Sequence, residues 1–299
     1  MTARIALATA AAFPDLDEES RLLVAALGEI GLSAEPAIWS DPRIDWSAYD
    51  LVVVRCTWDY QQRHGEYLAW ADQVAASTAL TNPAAVLRWN TDKTYLRDLA
   101  SVGLPVIETA WLQPGDTVVL PRTGEYVVKP AVSAGSRDTN RYVGGRHDDR
   151  AVAHAASLLA AGRTVMVQPY LAQVDTYGES ALLYLDGRLS HAVRKGPLLE
   201  PAMAFVEGAY KQETIEAREP TAAERAVAES VLDALADVAP AGRSELTYAR
   251  VDLVPDAGGS PTLLELELTE PSMFLDFDGC GGSVAAPRFA AAIRARLGG

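Results

Sequence analysis

The chain has 299 residues, of which 40 are acidic and 26 are basic, which gives a formal charge of −14. A net charge of this sign repels nucleic-acid phosphates and anionic lipid, so we expect neither a nucleic-acid partner nor a membrane partner. The apolar fraction of 49% is that of an ordered globular protein, and the length allows two or three packed lobes.

The first part of the chain predicts a small α/β domain. Five elements are predicted in order: a strand at residues 4–10, a helix at 17–31, a strand at 50–56, a helix at 64–77 and a short strand at 80–83. The two buried strands and the helix between them make one βαβ unit. We expect this N-terminal domain to end near Leu87 and to cover residues 1–87.

The sequence also predicts a cellular compartment. The N-terminal segment lacks the long apolar region of a signal peptide, and no run approaches 18 apolar residues. Cys56 and Cys280 are the only cysteines, so neither a disulfide framework nor a four-ligand zinc site is indicated. We therefore expect a cytoplasmic protein.

The middle of the chain predicts a compact central lobe of residues 88–170. Its predicted elements are a helix at 91–102 capped by Asn90 or Thr91, a strand at 126–130, a helix at 148–161 and a strand at 164–170. Residues 131–137 are small and predict a flexible loop.

The remainder, residues 171–299, predicts a C-terminal lobe that is also rich in strands. Strands are predicted at 179–186, 188–194, 246–254 and 261–268, and helices at 221–238 and 287–297. The whole chain is therefore expected to be a mixed α/β protein whose two strand-rich lobes could clamp a ligand between them.

The strongest candidate site lies on two of these strands. Because residues i and i+2 of a strand point to one face, Arg250 and Asp252 share a side of the first strand, as do Glu265 and Glu267 on the next. Two carboxylates about 4 Å apart repel by about 4 kcal/mol unless divalent cations bridge them. Oxygen-only ligands favour Mg²⁺, as at phosphoryl-transfer sites. The alternative is a solvated edge strand with alternating glutamates.

Three further segments could bind a nucleotide. Lys129 ends a strand and precedes a loop whose N–H groups and hydroxyls could contact phosphate, although a flexible hairpin is the alternative. Lys93 lies in the first turns of a predicted helix, where a lysine is otherwise solvent-exposed. Residues 168–171 lie at the end of an apolar strand that is interrupted by Pro169. This pattern is typical of a hinge whose backbone binds adenine, but an ordinary strand end is the alternative.

Taken in order, these segments resemble the ATP-grasp superfamily. The resemblance implies an ATP-grasp fold over residues 88–299, preceded by a small α/β domain. It implies that Asp252, Glu265 and Glu267 hold the metal and that Arg250 stabilises phosphate or acyl phosphate. Many family members have Asn at the position of Glu267, so a third carboxylate here changes the charge balance at the metal. The implied nucleotide-binding residues are Lys93, Lys129, Ser133, Gly135, Ser136, Arg137, Gln168, Tyr170, Leu171 and Asp175.

The chain is most similar to the glutathione-synthetase and ribosomal-modification type ligases, and to the cyclo-ligases that make D-cycloserine from O-ureido-D-serine. This resemblance implies that ATP phosphorylates a substrate carboxylate and that an internal nitrogen then displaces phosphate to close a ring. ATP and Mg²⁺, or Mn²⁺, are the implied cofactors. Lys129, Arg250 and either Arg194 or Lys195 would neutralise the developing charge.

Two regions could hold the small-molecule carboxylate substrate. Arg55, Thr57 and Trp58 follow a predicted strand, and ligands in open α/β sheets bind beyond the carboxyl ends of strands. The alternative there is an aromatic loop packed against the next lobe. After the metal strand, loop-like sequence and a helix N-terminus that could bind a carboxylate supply four further candidates, Glu270, Ser272, Gly282 and Ser283.

Competing functions would use the same nucleotide site. A kinase of this fold would leave a phosphorylated product, and an intermolecular amino acid or peptide ligase would join two substrates. A nucleotide-binding module without turnover would have little need for three metal carboxylates. No Ser-His-Asp or Cys-His set is legible, so no covalent nucleophile is expected. Small apolar patches on the N-terminal domain could support a homodimer.

Overall fold

The chain is a mixed α/β protein, described here from a computed structural model that covers residues 2–197 and 214–298. The strands are β1 (Arg4–Thr9), β2 (Ser33–Ile38), β3 (Leu51–Val54), β4 (Ala79–Thr81), β5 (Ala110–Leu112), β6 (Glu125–Pro130), β7 (Asn140–Val143), β8 (Val165–Pro169), β9 (Glu179–Leu185), β10 (Arg188–Lys195), β11 (Ile215–Arg218), β12 (Tyr248–Pro255) and β13 (Pro261–Glu267). The helices are α1 (Glu18–Glu29), α2 (His64–Ser77), α3 (Ala84–Asn90), α4 (Tyr95–Ser101), α5 (Asp148–Ala160), α6 (Val174–Tyr177), α7 (Ala222–Val238) and α8 (Ala285–Arg296).

Four parallel strands form the sheet of the N-terminal domain, in the order β2-β1-β3-β4. The three strands and two helices predicted there are confirmed. The sequence did not reveal β2, because Glu35 and Pro36 interrupt its apolar pattern and Ala37 is its one fully buried residue. The proline is tolerated because β2 is an edge strand.

The central lobe contains a second sheet, in the order β5-β8-β6-β7. Helix α5 packs its buried alanines and leucines against one face of this sheet. The predicted strands β6 and β8 and the predicted helix α5 are confirmed. Strands β5 and β7 have three and four residues, which is too short to show a clear period in the sequence.

The predicted helix at residues 91–102 is wrong in extent, because the chain forms the two short helices α3 and α4 with a turn between them. Asn90 is the last residue of α3 and does not cap a following helix. Its amide donates to the Leu266 carbonyl at 2.7 Å and accepts from the Leu268 N–H at 2.7 Å. These bonds fasten the turn that contains Lys93 to the end of β13.

The C-terminal lobe is built on an antiparallel sheet in the order β11-β10-β9-β12-β13. The four long strands and both long helices predicted there are confirmed, whereas the four-residue β11 was not predicted. Helix α7 covers one face of the sheet. Helix α8 covers the other and shares a core with β1 and α1, so the N-terminal domain packs directly on the C-terminal lobe.

The predicted domain boundary near Leu87 falls inside α3. Residues 198–213, which belong to the predicted C-terminal lobe, lie outside the described residues. The division into three domains therefore stays a prediction. In the described ranges, no helix has the length and apolar composition needed to cross a bilayer.

Candidate active site

A cluster of charges on the C-terminal sheet forms the centre of the site. The pairing of β12 with β13 places Arg250 opposite Glu267 and Asp252 opposite Glu265. The Arg250 guanidinium holds Asp252 in a bidentate pair, from Nε to Oδ1 at 2.9 Å and from Nη2 to Oδ2 at 3.0 Å. Nη2 also pairs with Glu267. A fork of donors fits a carboxylate in this way, so Arg250 is fixed by the carboxylates around it.

The structure distinguishes between Arg194 and Lys195, which are neighbours on β10 and point to opposite faces. The Lys195 Nζ lies 2.9 Å from Asp252 Oδ2 and 2.8 Å from Glu179 Oε2, so Lys195 joins the cluster. The Arg194 side chain instead donates to the carbonyls of Tyr177 at 2.5 Å and Thr176 at 2.7 Å. Arg194 is therefore not brought to the charges around Arg250. We use the name ion cluster for Arg250, Asp252, Glu267 and Lys195.

Charge balance in the ion cluster shifts the pKa values of its members. Burial alone would raise the pKa of Asp252, but Arg250 and Lys195 outweigh it and lower the pKa. Burial is the main cause that raises the pKa of Glu267 to about 7; Arg250 lowers this pKa, while Glu265 and Asp252 raise it further. A further positive charge at the Glu267 end would favour the ionised form of this carboxyl.

The two predicted nucleotide-binding lysines lie on the wall of the site, and they differ in their partners. The Lys93 Nζ donates to the Ser133 carbonyl at 2.8 Å and lies 3.1 Å from Glu265 Oε1. Lys129 is buried, and within residues 2–197 and 214–298 it makes no hydrogen bond or ion pair. Burial lowers the pKa of Lys129 to about 8, although Glu265 offsets part of the effect.

The loop after β6 is held close to Lys93. The backbone N–H of Lys93 donates to the Ala131 carbonyl at 3.0 Å. Ser133 is buried, whereas Gly135 and Ser136 are exposed and both have left-handed backbone angles, with φ of 60° and 56°. The start of the loop, up to Ser133, is therefore held in place, and its tip at Gly135 and Ser136 is exposed to solvent.

A cavity of about 780 Å³ opens beside this loop. It lies between residues 61–64 of the N-terminal domain, loop residues 131–138 and the turn at 161–164, and Arg137 is the predicted site residue that lines it. The ion cluster does not contribute to its walls. The candidate active site is therefore identified by its charged side chains and not by this cavity.

The predicted hinge contains a network that the sequence did not reveal. Arg141 on β7 donates to both oxygens of Asp175 at 3.1 Å, and its guanidinium stacks 3.5 Å above the Tyr170 ring centre. The Tyr170 hydroxyl donates to Asp175 Oδ1 at 2.6 Å. Gln168 is buried and donates to the Thr109 hydroxyl at 2.9 Å, and Leu171 is partly buried. Asp175 is thus held in place by neighbouring side chains, and its role in nucleotide binding stays a prediction.

The three substrate candidates after β3 are packed against protein groups. Arg55 is fully buried, with Nη2 at 2.5 Å from Glu19 Oε1 on α1. The Thr57 hydroxyl donates to the Tyr67 hydroxyl at 3.2 Å. Trp58 donates from its indole nitrogen to the Glu270 carbonyl at 3.1 Å. These contacts fit the alternative interpretation, an aromatic loop packed against the next lobe. The loop also contacts the segment after β13, through Trp58.

The helix N-terminus that contains Gly282 and Ser283 already has an internal carboxylate. Asp278 Oδ1 accepts from the Gly282 N–H at 2.9 Å, and Oδ2 accepts from Val284 and Ala285 at 2.9 and 2.8 Å. These bonds outweigh burial and lower the pKa of Asp278 to about 2. The donors at the start of α8 are therefore bound to the chain itself, which removes the basis for placing a substrate carboxylate there.

The three predicted metal ligands are not gathered into a metal-binding group in residues 2–197 and 214–298. Asp252 is bound by Arg250 and Lys195, Glu267 by Arg250, and Glu265 by Lys93. Protein cations therefore take the positions that a metal was predicted to fill. Their oxygen chemistry still suits Mg²⁺.

Comparisons with known proteins agree with the fold. A family model for the N-terminal domain of D-cycloserine synthetase DcsG matches residues 5–82. The cycloserine biosynthesis protein DcsG of Streptomyces lavendulae is 39% identical over 306 aligned positions, which cover 98% of each chain.

Solved structures extend the agreement to three dimensions. The crystal structure of D-cycloserine synthetase DcsG matches with a TM-score of 0.85 at 36% identity, over 98% of this chain and 99% of that chain. An ATP-grasp RimK domain protein from Sphaerobacter thermophilus matches with a TM-score of 0.67 at 18% identity, over 98% of this chain and 100% of the other. The predicted ATP-grasp fold is therefore confirmed.

Proposed function

The chain belongs to the DcsG family of ATP-grasp ligases, and from this premise we propose that it is an ADP-forming carbon-nitrogen ligase that cyclises O-ureido-D-serine to D-cycloserine. An ATP-dependent ligase must bring two anions together, the γ-phosphate of ATP and the substrate carboxylate. The residues of the site are suited to that task.

One observation carries the proposal, which is that Lys129 is buried beside the acidic groups of the site without a hydrogen bond or ion pair in the described residues. A buried ammonium group without a partner costs free energy, and an anionic ligand recovers that cost. Lys129 is therefore suited to bind an ATP phosphate, with Lys93 beside it and loop residues 133–137 over it. Gln168, Tyr170, Leu171 and Asp175 would then contact the nucleoside.

Arg250 is the group best placed to stabilise the acyl phosphate. It is oriented by Asp252 and by the Ser272 carbonyl, which accepts from Nη1 at 3.1 Å. Such preorganised charge is the main source of catalysis in phosphoryl transfer, because little covalent chemistry falls to the protein. Lys195 contributes positive charge through Asp252, which it contacts directly.

Mg²⁺ would be held by Glu265 and Glu267, together with Asp252, once ATP has drawn Lys93 away from Glu265 and toward its phosphates. When bound, the ion supplies positive charge that offsets the charge of the phosphate oxygens. Glu265 and Glu267 are suited to this exchange, because their side chains are 24% and 26% exposed, whereas Asp252 is 2% exposed. Mn²⁺ has the same ligand preferences.

Ring closure follows from the chemistry of the acyl phosphate. The substrate carboxylate oxygen attacks the γ-phosphorus and ADP leaves, after which the nitrogen bonded to the side-chain oxygen attacks the carbonyl carbon and phosphate leaves. D-Cycloserine lacks the carbamoyl group of O-ureido-D-serine, so water must also release that group as carbon dioxide and ammonia. The expected products are therefore D-cycloserine, ADP, phosphate, carbon dioxide and ammonia.

Release of ADP and phosphate from Mg-ATP, measured against a panel of substrates with mass spectrometry of the products, tests this proposal. Stimulation by O-ureido-D-serine with loss of the open-chain compound supports the cyclo-ligase. Stimulation that requires a pair of amino acids would replace it with an intermolecular ligase. A stable phosphorylated product would indicate a kinase, and ATP binding without turnover a binding module. Cytoplasmic location and a homodimer stay predictions.

A further inference from the structure

The segment that follows β13 is fixed by hydrogen bonds at every residue. Five consecutive backbone carbonyls, from residue 268 to residue 272, each accept from a different side chain at 2.7–3.3 Å. The donors, in chain order of their acceptors, are Asn82, Tyr248, Trp58, Arg55 and Arg250. We call residues 268–272 the anchored segment. Its donors come from the N-terminal domain and β12, so the segment joins both parts of the molecule.

A buried salt bridge extends this anchoring beyond residue 272. Glu19 accepts from the backbone N–H groups of Met273 at 2.8 Å and Leu275 at 3.2 Å, while it pairs with Arg55 at 2.5 Å. A buried pair is stabilising when its remaining hydrogen-bonding groups are satisfied in this way. Arg55, predicted as a substrate residue, therefore positions the backbone next to the site.

The side chain of Glu270 is the exception in the anchored segment. Glu270 is 9% exposed, and no described residue donates a hydrogen bond to its carboxylate or forms an ion pair with it. Burial, followed by repulsion from Glu267, raises the pKa of its carboxyl. Its charge in turn adds to burial in raising the pKa values of Tyr60 and Tyr67. The charge of Glu270 therefore acts on Tyr60 and Tyr67 of the N-terminal domain, and Glu267 of the ion cluster acts on Glu270.

We propose that Glu270 determines specificity by binding the α-ammonium group of the amino acid substrate. The inference rests on the proposed function, which supplies a substrate that is an amino acid. A buried carboxylate needs a cation or hydrogen-bond donors, and an ammonium group provides both with its three N–H bonds. The anchored backbone holds the carboxylate in position before the ligand arrives, so little ordering is needed on binding.

Lys129 and Glu270 together match the charges of the reactants. Lys129 is a buried cation suited to a phosphate, and Glu270 is a buried anion suited to an ammonium group. A carboxylate between them would be phosphorylated at the Lys129 end while the amino group is retained at the Glu270 end. Discrimination against a substrate that lacks the amino group follows, because Glu270 would then stay buried without a partner.

The test compares O-ureido-D-serine with its des-amino analogue, 3-(ureidooxy)propanoate, in the wild type and in Glu270→Gln. In the wild type we expect a strong preference for the amino compound. In Glu270→Gln, kcat/KM for the amino compound should fall about 10- to 100-fold, as for a lost charge-assisted hydrogen bond. The value for the analogue and the KM for ATP should change less than about twofold.

Two controls keep the test specific. Asp276→Asn removes an exposed carboxylate from the same loop, and it should leave the preference unchanged. Glu270→Gln should unfold at the wild-type temperature or above it, because an amide of the same shape replaces a buried carboxylate without a partner.

Three outcomes would overturn the inference. An active Glu270→Gln enzyme with the wild-type preference for the amino group would remove Glu270 from substrate recognition. A variant whose Mg²⁺ requirement rises while the preference is unchanged would reassign Glu270 to the metal. A wild type that turns over neither compound would instead contradict the proposed function, and this inference would fail with it.

Discussion

The charged groups of the site form two regions that differ in how their charges are balanced. In the ion cluster, Arg250 and Lys195 hold Asp252 at 2.9–3.0 Å, so the protein supplies both signs of charge. On the walls of the site, Lys129 and Glu270 are equally buried but have no partner within residues 2–197 and 214–298.

The difference separates charges that stabilise the protein from charges that remain available to ligands. Removing one member of a buried pair leaves the other without a partner, which costs about 3–5 kcal/mol. Removing a buried charge that has no partner relieves a cost of burial and affects only the ligand it would bind. The two regions should therefore respond in opposite ways to similar substitutions.

The largest effect is expected at Glu265, which pairs with Lys93 at 3.1 Å and which we propose as a metal ligand. Glu265→Gln should lower kcat by a factor on the order of 1,000, because charge stabilisation worth several kcal/mol is lost. The fold should be retained, since the side chain is 24% exposed. The rate of ADP release measures kcat, and circular dichroism measures whether the fold is retained. Glu216→Gln, which changes an exposed glutamate, is the control. Normal turnover in a folded variant would remove Glu265 from the mechanism.

A matched pair of lysines gives the next largest effect, because Lys129 and Lys195 are 8% and 7% exposed and differ in their partners. Lys129→Met should weaken ATP binding about 10- to 100-fold without loss of stability. Lys195→Met should destabilise the protein by about 3 kcal/mol, because Asp252 and Glu179 lose a buried partner. Calorimetric ATP binding and urea unfolding measure the two effects. Equal loss of stability in both variants would contradict the comparison.

The lowered pKa of Lys129 predicts a smaller effect of pH on ATP binding. Burial lowers this pKa from 10.5 to about 8, so the free lysine is protonated below pH 8 and neutral above it. ATP affinity should fall about tenfold from pH 7 to pH 9 if the charged form binds. The unfolded chain keeps this proton up to higher pH, so the contribution of Lys129 to stability rises between pH 8 and 10.5. Lys129→Arg should flatten the binding profile, and an unchanged slope would exclude Lys129 as its source.

The smallest effect is expected at Arg194. Its side chain donates to two backbone carbonyls and is 38% exposed, on the face of β10 opposite to Lys195. Arg194→Gln should therefore change kcat by less than about twofold, in contrast to Lys195→Gln. Initial rates of ADP release compare the two variants. A larger loss of kcat in Arg194→Gln than in Lys195→Gln would show that Arg194, and not Lys195, is the residue that turnover requires.

The sequence predicted the long elements and the residues of β12 and β13, because alternation and apolar periodicity are local properties. It predicted α2 at residues 64–77 without error, and the site strands to within one or two residues. It missed β2, β5, β7 and β11, which are short or interrupted by proline and polar residues. Local patterns of that length carry too little information.

Contacts between distant residues explain the rest of what the sequence could not reveal. Glu19 meets Met273 across 254 positions, and Asn82 meets Leu268 across 186. Neither residue has a neighbour in sequence that signals such a role. Arg141 likewise pairs with Asp175 only because β7 lies beside the hinge. The structure was therefore needed to determine which of the predicted charged residues are paired and which are available to a ligand.

The central claim is that a substrate carboxylate becomes an acyl phosphate, and isotope transfer tests it most directly. O-Ureido-D-serine labelled with ¹⁸O in its carboxylate would be converted with Mg-ATP, and the phosphate released would be weighed by mass spectrometry. We predict that each inorganic phosphate carries one oxygen from the labelled carboxylate, with labelled D-cycloserine formed in equal amount. Phosphate without label, or a stable phosphorylated product, would contradict it.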